Sequence, residues 1–319
     1  MALNVKKLFK ISFLLIDEFS MIAFSSAIEP LRAANRANQG NLYEWEILSL
    51  NGDPVCSSNG IFIDPNERID ENLKTDILFL CSGLNVMNKV DRHLLGILRK
   101  LARRGVQLGS LCTASYLLAK AGLLSNRKTT IHWENSLSMK EEFPELEVTN
   151  NLFEIDRDRY SCSGGTSSLD LMLNIIIKNH GSNLAKSVSD QLIHERIRYS
   201  SDYQRMSLRS RLGVSHPKLL SSVSIMEENL EEPISHKELS KKANVSLRQL
   251  ERLFNKYLSC TPNQYYLKLR LERSRNLLLQ TSMSILSVAL ASGFSSASHF
   301  SKRYKFFYGM SPRASRTTE

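Results

Sequence analysis

No apolar run in the 319 residues approaches the roughly 20 that a membrane-spanning helix needs, so no membrane partner is expected. The cysteines Cys56, Cys81, Cys112, Cys162 and Cys260 are odd in number and form no C-x-x-C pair. That spacing argues against both a disulfide framework and a zinc site, and neither a metal nor a cofactor is expected. A secretory leader is also missing in its usual form. Lys6, Lys7 and Lys10 flank a short apolar run, Ile11 to Ile16, but Asp17 and Glu18 interrupt it and no small-residue cleavage site follows. The segment therefore reads as a first β-strand, and the expected compartment is the cytoplasm. What is present is the composition of a folded protein, 42% hydrophobic and 23% charged, with length enough for two domains.

The last hundred residues contain one pattern twice. Ser246, Leu250, Arg252 and Phe254 recur fifty positions later as Ser296, Phe300, Lys302 and Tyr304. In the first copy Leu239, Ala243, Val245, Leu250, Leu253 and Phe254 form the apolar stripe of two packed helices, and Ser246 is placed to cap the second. The outer side of that helix carries Arg248, Gln249, Glu251 and Arg252. The second copy opens at Ser284, turns at Gly293-Phe294-Ser295 and ends in a helix with Ser298, His299, Lys302 and Arg303 as its polar set. Glycine before an aromatic suits a helix end that needs positive φ and an apolar plug. One basic amphipathic helix is usually only a solvated surface. Two in register, each second in a helix-turn-helix, are placed to read two stretches of double-stranded DNA. The charge agrees: residues 217–319 hold 16 Lys+Arg against 8 Asp+Glu, while residues 1–216 hold 26 against 24. A basic excess confined to one domain is the footprint of a polyanion partner.

These residues, with Cys260-Thr-Pro262, Arg270-Leu-Glu-Arg-Ser274, Gly293 through Tyr304 and Gly309-Met-Ser-Pro312, resemble the AraC/XylS family of bacterial transcription regulators over roughly 218–316. The resemblance implies two units entering successive major grooves. Its base-reading positions correspond to Arg248, Glu251 and Arg252, then Ala297, Ser298 and Lys302. Two departures stand out: Ser259-Cys260 replaces a frequent glycine, and Ala297 is too short to hydrogen-bond a base.

From residue 8 to about 180 short apolar runs alternate with helical patterns. Strands are expected at 8–16, 43–50, 77–81 and 106–108, helices at 21–38, 93–104, 114–120 and 167–179, and a hairpin at 147–156. This alternation predicts an α/β sandwich with a mainly parallel sheet, whose ligands sit at the carboxyl ends of the strands. The whole chain is thus expected to be an α/β N-terminal domain (1–195), a linker (196–217) rich in Arg and Ser, and an all-α C-terminal domain (218–319). Two strand ends are chemically interesting. Leu111-Cys112-Thr113 places a thiol where a strand turns into a helix, a position whose dipole lowers a thiol pKa. Ile131-His132-Trp133-Glu134 puts an imidazole at another strand end. A Cys/His pair is a catalytic possibility; a buried packing thiol beside a His/Trp binding wall is the alternative.

The first domain resembles the PfpI-type branch of the class I glutamine amidotransferase-like fold. Its combination with an AraC module resembles GlxA-type regulators, on Phe19 through Asn35, Leu111-Cys-Thr-Ala114, Thr130-Ile-His-Trp133, Ser163-Gly-Gly-Thr166 with Asp170, and His216-Pro-Lys-Leu219. Within that group the chain looks most like regulators sensing glycine betaine, carnitine or arginine. Peptidases of the branch follow the elbow cysteine with histidine, where Thr113 stands here, and the acid that tunes the cysteine in other members falls near Ser20. The catalytic set is incomplete, so no catalytic residue is assigned. The expected ligand walls are Glu29, Cys112, Thr113, His132, Trp133, Gly164 and Gly165. The expected partners are operator DNA, a small amine or amino-acid effector, RNA polymerase and a second copy of the chain. The rival readings are a thiol hydrolase fused to a DNA-binding module, and a constitutive DNA binder whose first domain only dimerises.

Overall fold

The computed structural model describes residues 8–281 and 283–317; Lys6 and Lys7 lie outside the described residues. The chain divides into two compact units, Met1–Gln204 and Arg205–Glu319.

The first unit opens with β1 (Phe9–Leu15), α1 (Met21–Asn38) and β2 (Tyr43–Ser49). A small antiparallel ribbon, β3 (Val55–Cys56) with β4 (Phe62–Ile63), precedes β5 (Glu67–Arg68), β6 (Ile77–Cys81) and α2 (Arg92–Arg103). Then follow β7 (Gln107–Leu111), α3 (Ser115–Lys120), β8 (Lys128–Thr129), α4 (Trp133–Glu142) and β9 (Glu147–Val148). The unit continues with β10 (Phe153–Asp156), β11 (Arg159–Cys162), α5 (Ser167–His180) and α6 (Ser182–Gln191). The seven-stranded sheet runs β10-β11-β7-β6-β1-β2-β5, and only the β10/β11 pair is antiparallel.

Residue alternation explains why the sheet is covered on both faces. Ile11, Phe13 and Leu15 of β1 pack with α1, α5 and α6, whereas Leu14 and Ile16 pack on the opposite face with α2 and α3. Strands buried on both sides read as continuous apolar runs, and all of these residues are at most 1% exposed. The helices start on side-chain caps: Ser20 accepts from the Ala23 N–H, and Asp91 from the Leu94 N–H at 2.7 Å. Ser20, the position expected to replace a tuning acid, is thus occupied in starting α1.

Two expectations are corrected. Residues 147–156 do not form a hairpin: β9 pairs in parallel with β8, and β10 turns back into β11 instead. The true hairpin turns through Arg157 at φ 59 and Asp158, so no glycine or asparagine announced it. The segment expected as a linker without regular packing is also held in place over its first part. His194 and Arg198 both bind the fully buried Asp170 carboxylate, the Leu152 N–H donates to Ser200 O, and the Gln204 side chain donates to Thr130, Ile131 and Asn151. Polar contacts hold this segment, which is why hydropathy missed it.

The second unit is helical among the described residues: α7 (Leu208–Leu212), α8 (Pro217–Glu228), α9 (His236–Lys242), α10 (Leu247–Leu258), α11 (Pro262–Gln280), α12 (Ile285–Ala291), α13 (Ala297–Tyr308) and α14 (Pro312–Thr317). Arg211 of α7 pairs with Glu227 of α8 at 3.0 Å. The pairs α9/α10 and α12/α13 are the two helix-turn-helix units. No helix among the described residues is long and apolar enough to cross a membrane.

Candidate nucleic-acid interface and effector pocket

Each helix-turn-helix is fixed by local chemistry. In the first, Asn244 takes φ 53 after α9, and Ser246 and Gln249 form a reciprocal capping box at the start of α10. Leu250, Leu253 and Phe254 are buried against Leu239 and Tyr266. In the second, Gly293 has φ 77, and a β-carbon there would meet Leu230 O at 2.5 Å, so only glycine fits the turn. Arg270 locks that turn by donating to Ser292 O and Gly293 O while its guanidinium lies 4.2 Å from the Phe294 ring centre.

This packing leaves one polar face on each second helix. Arg248, Glu251 and Arg252 are exposed on α10, and Ser298, His299, Lys302 and Arg303 on α13. Arg248 and Arg252 make no ion pair among the described residues, nor does Lys302, which leaves their charge available to phosphate or base edges. Gln249 differs from the expectation: its side-chain oxygen accepts from the Ser246 N–H, which ties it to the cap. His299 packs edge-on to Phe294 and lies 3.4 Å from Arg303 Nε, at the flank of the face. The intervening α11 has 19 residues and so spans about 28 Å, close to the roughly 34 Å of one DNA turn.

In the first unit, Leu111 of β7 pairs with Cys81 of β6 on one side and Cys162 of β11 on the other. The residues that follow these strands therefore meet at one sheet edge. Cys112 occupies φ 62, a left-handed elbow, with its N–H donating to Cys162 O and its carbonyl accepting from the His132 N–H at 3.2 Å. A chain of hydroxyls, Ser110 to Ser115 to Thr130 O, with Ser161 accepting from the Thr130 N–H, sets the 130–133 segment beside the elbow.

The expected depression of the Cys112 pKa is overturned. Burial pushes the thiol up to about 12, reinforced by the neighbouring Cys162 and only partly opposed by the Thr113 N–H. The helix after it, α3, has six residues and is a weak source of dipole. Burial also holds the His132 imidazole below its usual value, against the pull of Glu134 3.7 Å away. Among the described residues no hydrogen bond joins the Cys112 thiol to His132, and burial disfavours the charged form of both groups. Thr113, where peptidases carry histidine, is buried and donates to Gly83 O at 2.8 Å. Of the other cysteines, Cys81 and Cys162 are buried, and Cys56 and Cys260 partly so.

A pocket of about 230 Å³ opens at this edge, lined by His132, Trp133, Gly164, Gly165, Arg198 and Gln204 together with Leu152, Ser163, Thr166 and Ser167. Four of the expected ligand residues, His132, Trp133, Gly164 and Gly165, are thereby brought together. Cys112 and Thr113 do not line it. Glu29 does not either: it sits nine residues into α1, roughly 13 Å from the helix start, half-exposed and ion-paired with Arg32 at 2.7 Å. Arg198 and Gln204 were missed because they lie in the presumed linker. Asp170 was the available signal, since a carboxylate inside an apolar helix needs a cationic partner.

Comparison with known proteins accounts for both halves. The DJ-1/PfpI family matches residues 9–178, and a helix-turn-helix domain family matches residues 239–318. The HTH-type transcriptional regulator GbdR of Pseudomonas aeruginosa is 47% identical over 96% of this chain and 83% of its own length. CdhR from the same organism is 45% identical over 95% and 90%, and GlxA of Rhizobium meliloti 35% over 95% and 94%. The chain belongs to the AraC-type transcriptional regulators with a DJ-1/PfpI domain. A crystal structure of an AraC family transcriptional regulator from Pseudomonas putida superposes with a TM-score of 0.54 at 29% identity, covering 58% of this chain and 99% of that one. The protein is therefore a ligand-responsive, DNA-binding transcription regulator, as these relatives are regulators by name and not enzymes.

Proposed function

We propose that this regulator is a cytoplasmic, homodimeric activator of a catabolic operon for a small amine or amino-acid-like metabolite, acting with RNA polymerase at its promoter. Residues 1–195 would sense the effector and residues 218–319 bind the operator, with base and phosphate contacts from Arg248, Glu251 and Arg252 on α10 and from Ser298, Lys302 and Arg303 on α13. The effector would enter the pocket bounded by His132, Trp133, Gly164 and Gly165.

The observation that carries the effector class is Trp133 on a small pocket, 37% exposed, beside an imidazole whose burial disfavours its charge. An indole face attracts an ammonium, and the resemblance to regulators that sense glycine betaine, carnitine or arginine points to the same chemistry. Such a contact contributes on the order of 0.5–2 kcal/mol, so Trp133→Ala should raise the dissociation constant by up to roughly thirtyfold. Calorimetry with glycine betaine, carnitine, dimethylglycine and arginine, on wild type and Trp133→Ala, tests it. A neutral or anionic effector, or unchanged binding by the variant, would defeat this reading.

A further inference from the structure

The wall of the pocket opposite Trp133 in chemical character is built from a strap, residues 192–204, that runs from the end of α6 to the last residue of the first unit. Arg198 lies at its middle. The Arg198 backbone N–H donates to Asp170 Oδ1 at 2.7 Å, its Nε to Asp170 Oδ2 at 2.8 Å, and its Nη2 to both Asp170 Oδ2 and Thr166 Oγ1. Asp170 is 0% exposed and is also bound by His194 of the strap at 2.9 Å. A buried carboxylate thus fixes the guanidinium of a pocket-lining residue, and the Nη1 amino group of Arg198 has no partner among the described residues. Two backbone donors stand beside it. Gly165 at φ 58 followed by Thr166 at φ −74 is an alternation that turns successive N–H groups to one side, at the start of the 14-residue α5. Neither N–H has a partner among the described residues, and both residues line the same pocket.

We propose that this wall is a carboxylate subsite, in which an effector carboxylate is held by the free arm of Arg198 and by the Gly165 and Thr166 N–H groups, and that the strap thereby reports occupancy to the chain that follows it. The proposal rests on the reading of the pocket as the effector site and adds which end of the effector it recognises. The Arg198 fork is taken up by Asp170 and Thr166 through Nε and Nη2, so its contact with an effector carboxylate is a charge-assisted hydrogen bond from Nη1. The Gln204 amide, bound to Thr130, Ile131 and Asn151, pins the other end of the strap to the same pocket. Residue 205, the first of the second unit, follows it directly. Ligand contacts at Arg198 therefore change the restraint on the one covalent path between sensor and DNA-binding helices. The class of effector this selects is a zwitterion, ammonium toward Trp133 and carboxylate toward Arg198. A cation alone leaves the Arg198 arm and the two N–H groups unsatisfied.

The test uses the full-length protein and two matched pairs of probes, glycine betaine with choline and arginine with agmatine. Each pair keeps the cation and removes the carboxylate. The zwitterion that binds wild type should bind roughly ten- to a hundredfold more tightly than its partner. Arg198→Gln should remove that preference. Because this variant takes the guanidinium from the buried Asp170, leaving it only His194 and the residue-198 N–H, and risks unfolding, the double variant Asp170→Asn/Arg198→Gln, which removes both charges, is measured alongside. Hydrogen exchange should slow at amides 194–204 when the zwitterion is added. If choline or agmatine binds as tightly as its partner, or the double variant keeps the preference, the subsite is wrong while the effector pocket stands. If exchange in the strap is unchanged by a bound zwitterion, the reporting role fails. If neither zwitterion binds wild type, both this proposal and the effector class beneath it fall.

Discussion

A β-carbon on Gly164 would lie 2.7 Å from the β-carbon of Cys112, so the glycine after β11 and the cysteine after β7 are in contact that only glycine permits. Both take positive φ, 87 and 62. A non-glycine residue held there costs on the order of 1–3 kcal/mol, maintained here because the Cys112 N–H and C=O are tied to Cys162 and His132. Gly164→Ala combines the positive-φ cost with overpacking, and we expect about 2–4 kcal/mol of destabilisation in urea unfolding of the first unit. Pairing it with Cys112→Gly, which removes the Cβ and Sγ it strikes, should restore about 1 kcal/mol or more. A Gly164→Ala protein as stable as wild type would contradict the contact.

The raised Cys112 pKa has a consequence with a definite sign. The thiol ionises near 9 when unfolded and near 12 when folded, so between those values the unfolded state has lost a proton that the folded state retains. The contribution is constant below pH 9 and is lost as pH rises toward 12, with a slope of about 1.4 kcal/mol per pH unit. Stability of Cys112→Ala should therefore fall less steeply with pH than wild type across that window. Iodoacetamide should label Cys112 slowly at pH 8 compared with the same thiol in urea. Rapid labelling of the native protein at neutral pH would show that the helix dipole, not burial, governs this sulfur.

Much of the fold was legible because strand burial writes itself as alternation and apolar runs. The range expected for α1 is the range found, and β1, β2 and β6 fall where expected. The helix-turn-helix pair was legible through a fifty-residue repeat that carries both the caps, Ser246 and Ser296, and the buried positions, Leu250 with Phe254 and Phe300 with Tyr304. The pocket was legible only in part. His132, Trp133, Gly164 and Gly165 stand beside recognisable strand ends, whereas Arg198 is brought in by a segment with no apolar pattern, held by a carboxylate 28 residues away. Glu29, expected as a wall, lies on α1 outside the residues that line the pocket and pairs with Arg32. Gln249, expected on the DNA-facing side, also serves the start of its own helix, which its exposure and polarity alone do not announce.

Ser259 ends α10 at φ 52, ψ 30, a left-handed position that favours glycine, which resembling sequences often carry there. Its hydroxyl makes no hydrogen bond among the described residues. Ser259→Gly should therefore relieve backbone strain and stabilise the helical unit by about 0.5–1 kcal/mol, read as a higher urea midpoint with an unchanged slope. DNA affinity should not change, because the position lies at the far end of α10 from Arg248. A lower midpoint would mean that serine has a packing role the cap geometry does not reveal.

Arg252 and Lys302 occupy equivalent positions fifty residues apart, exposed on α10 and α13 and unpaired among the described residues. If each reads a base edge in its own major groove, the protected site should extend over about two helical turns, with the two contacted segments roughly 10 bp apart. Arg252→Ala should then cost about 1–3 kcal/mol and relax preference at one base pair in the segment under α10. Lys302→Ala should act on the other segment, more weakly, because Ala297 and Ser298 offer that half less hydrogen-bonding reach. Footprinting and binding titrations over a set of single-base operator variants separate the outcomes. A loss uniform over all sequences, with a shallower dependence on salt, would reassign both side chains to phosphates. Wild-type affinity and preference in both variants would remove α10 and α13 from the DNA interface altogether.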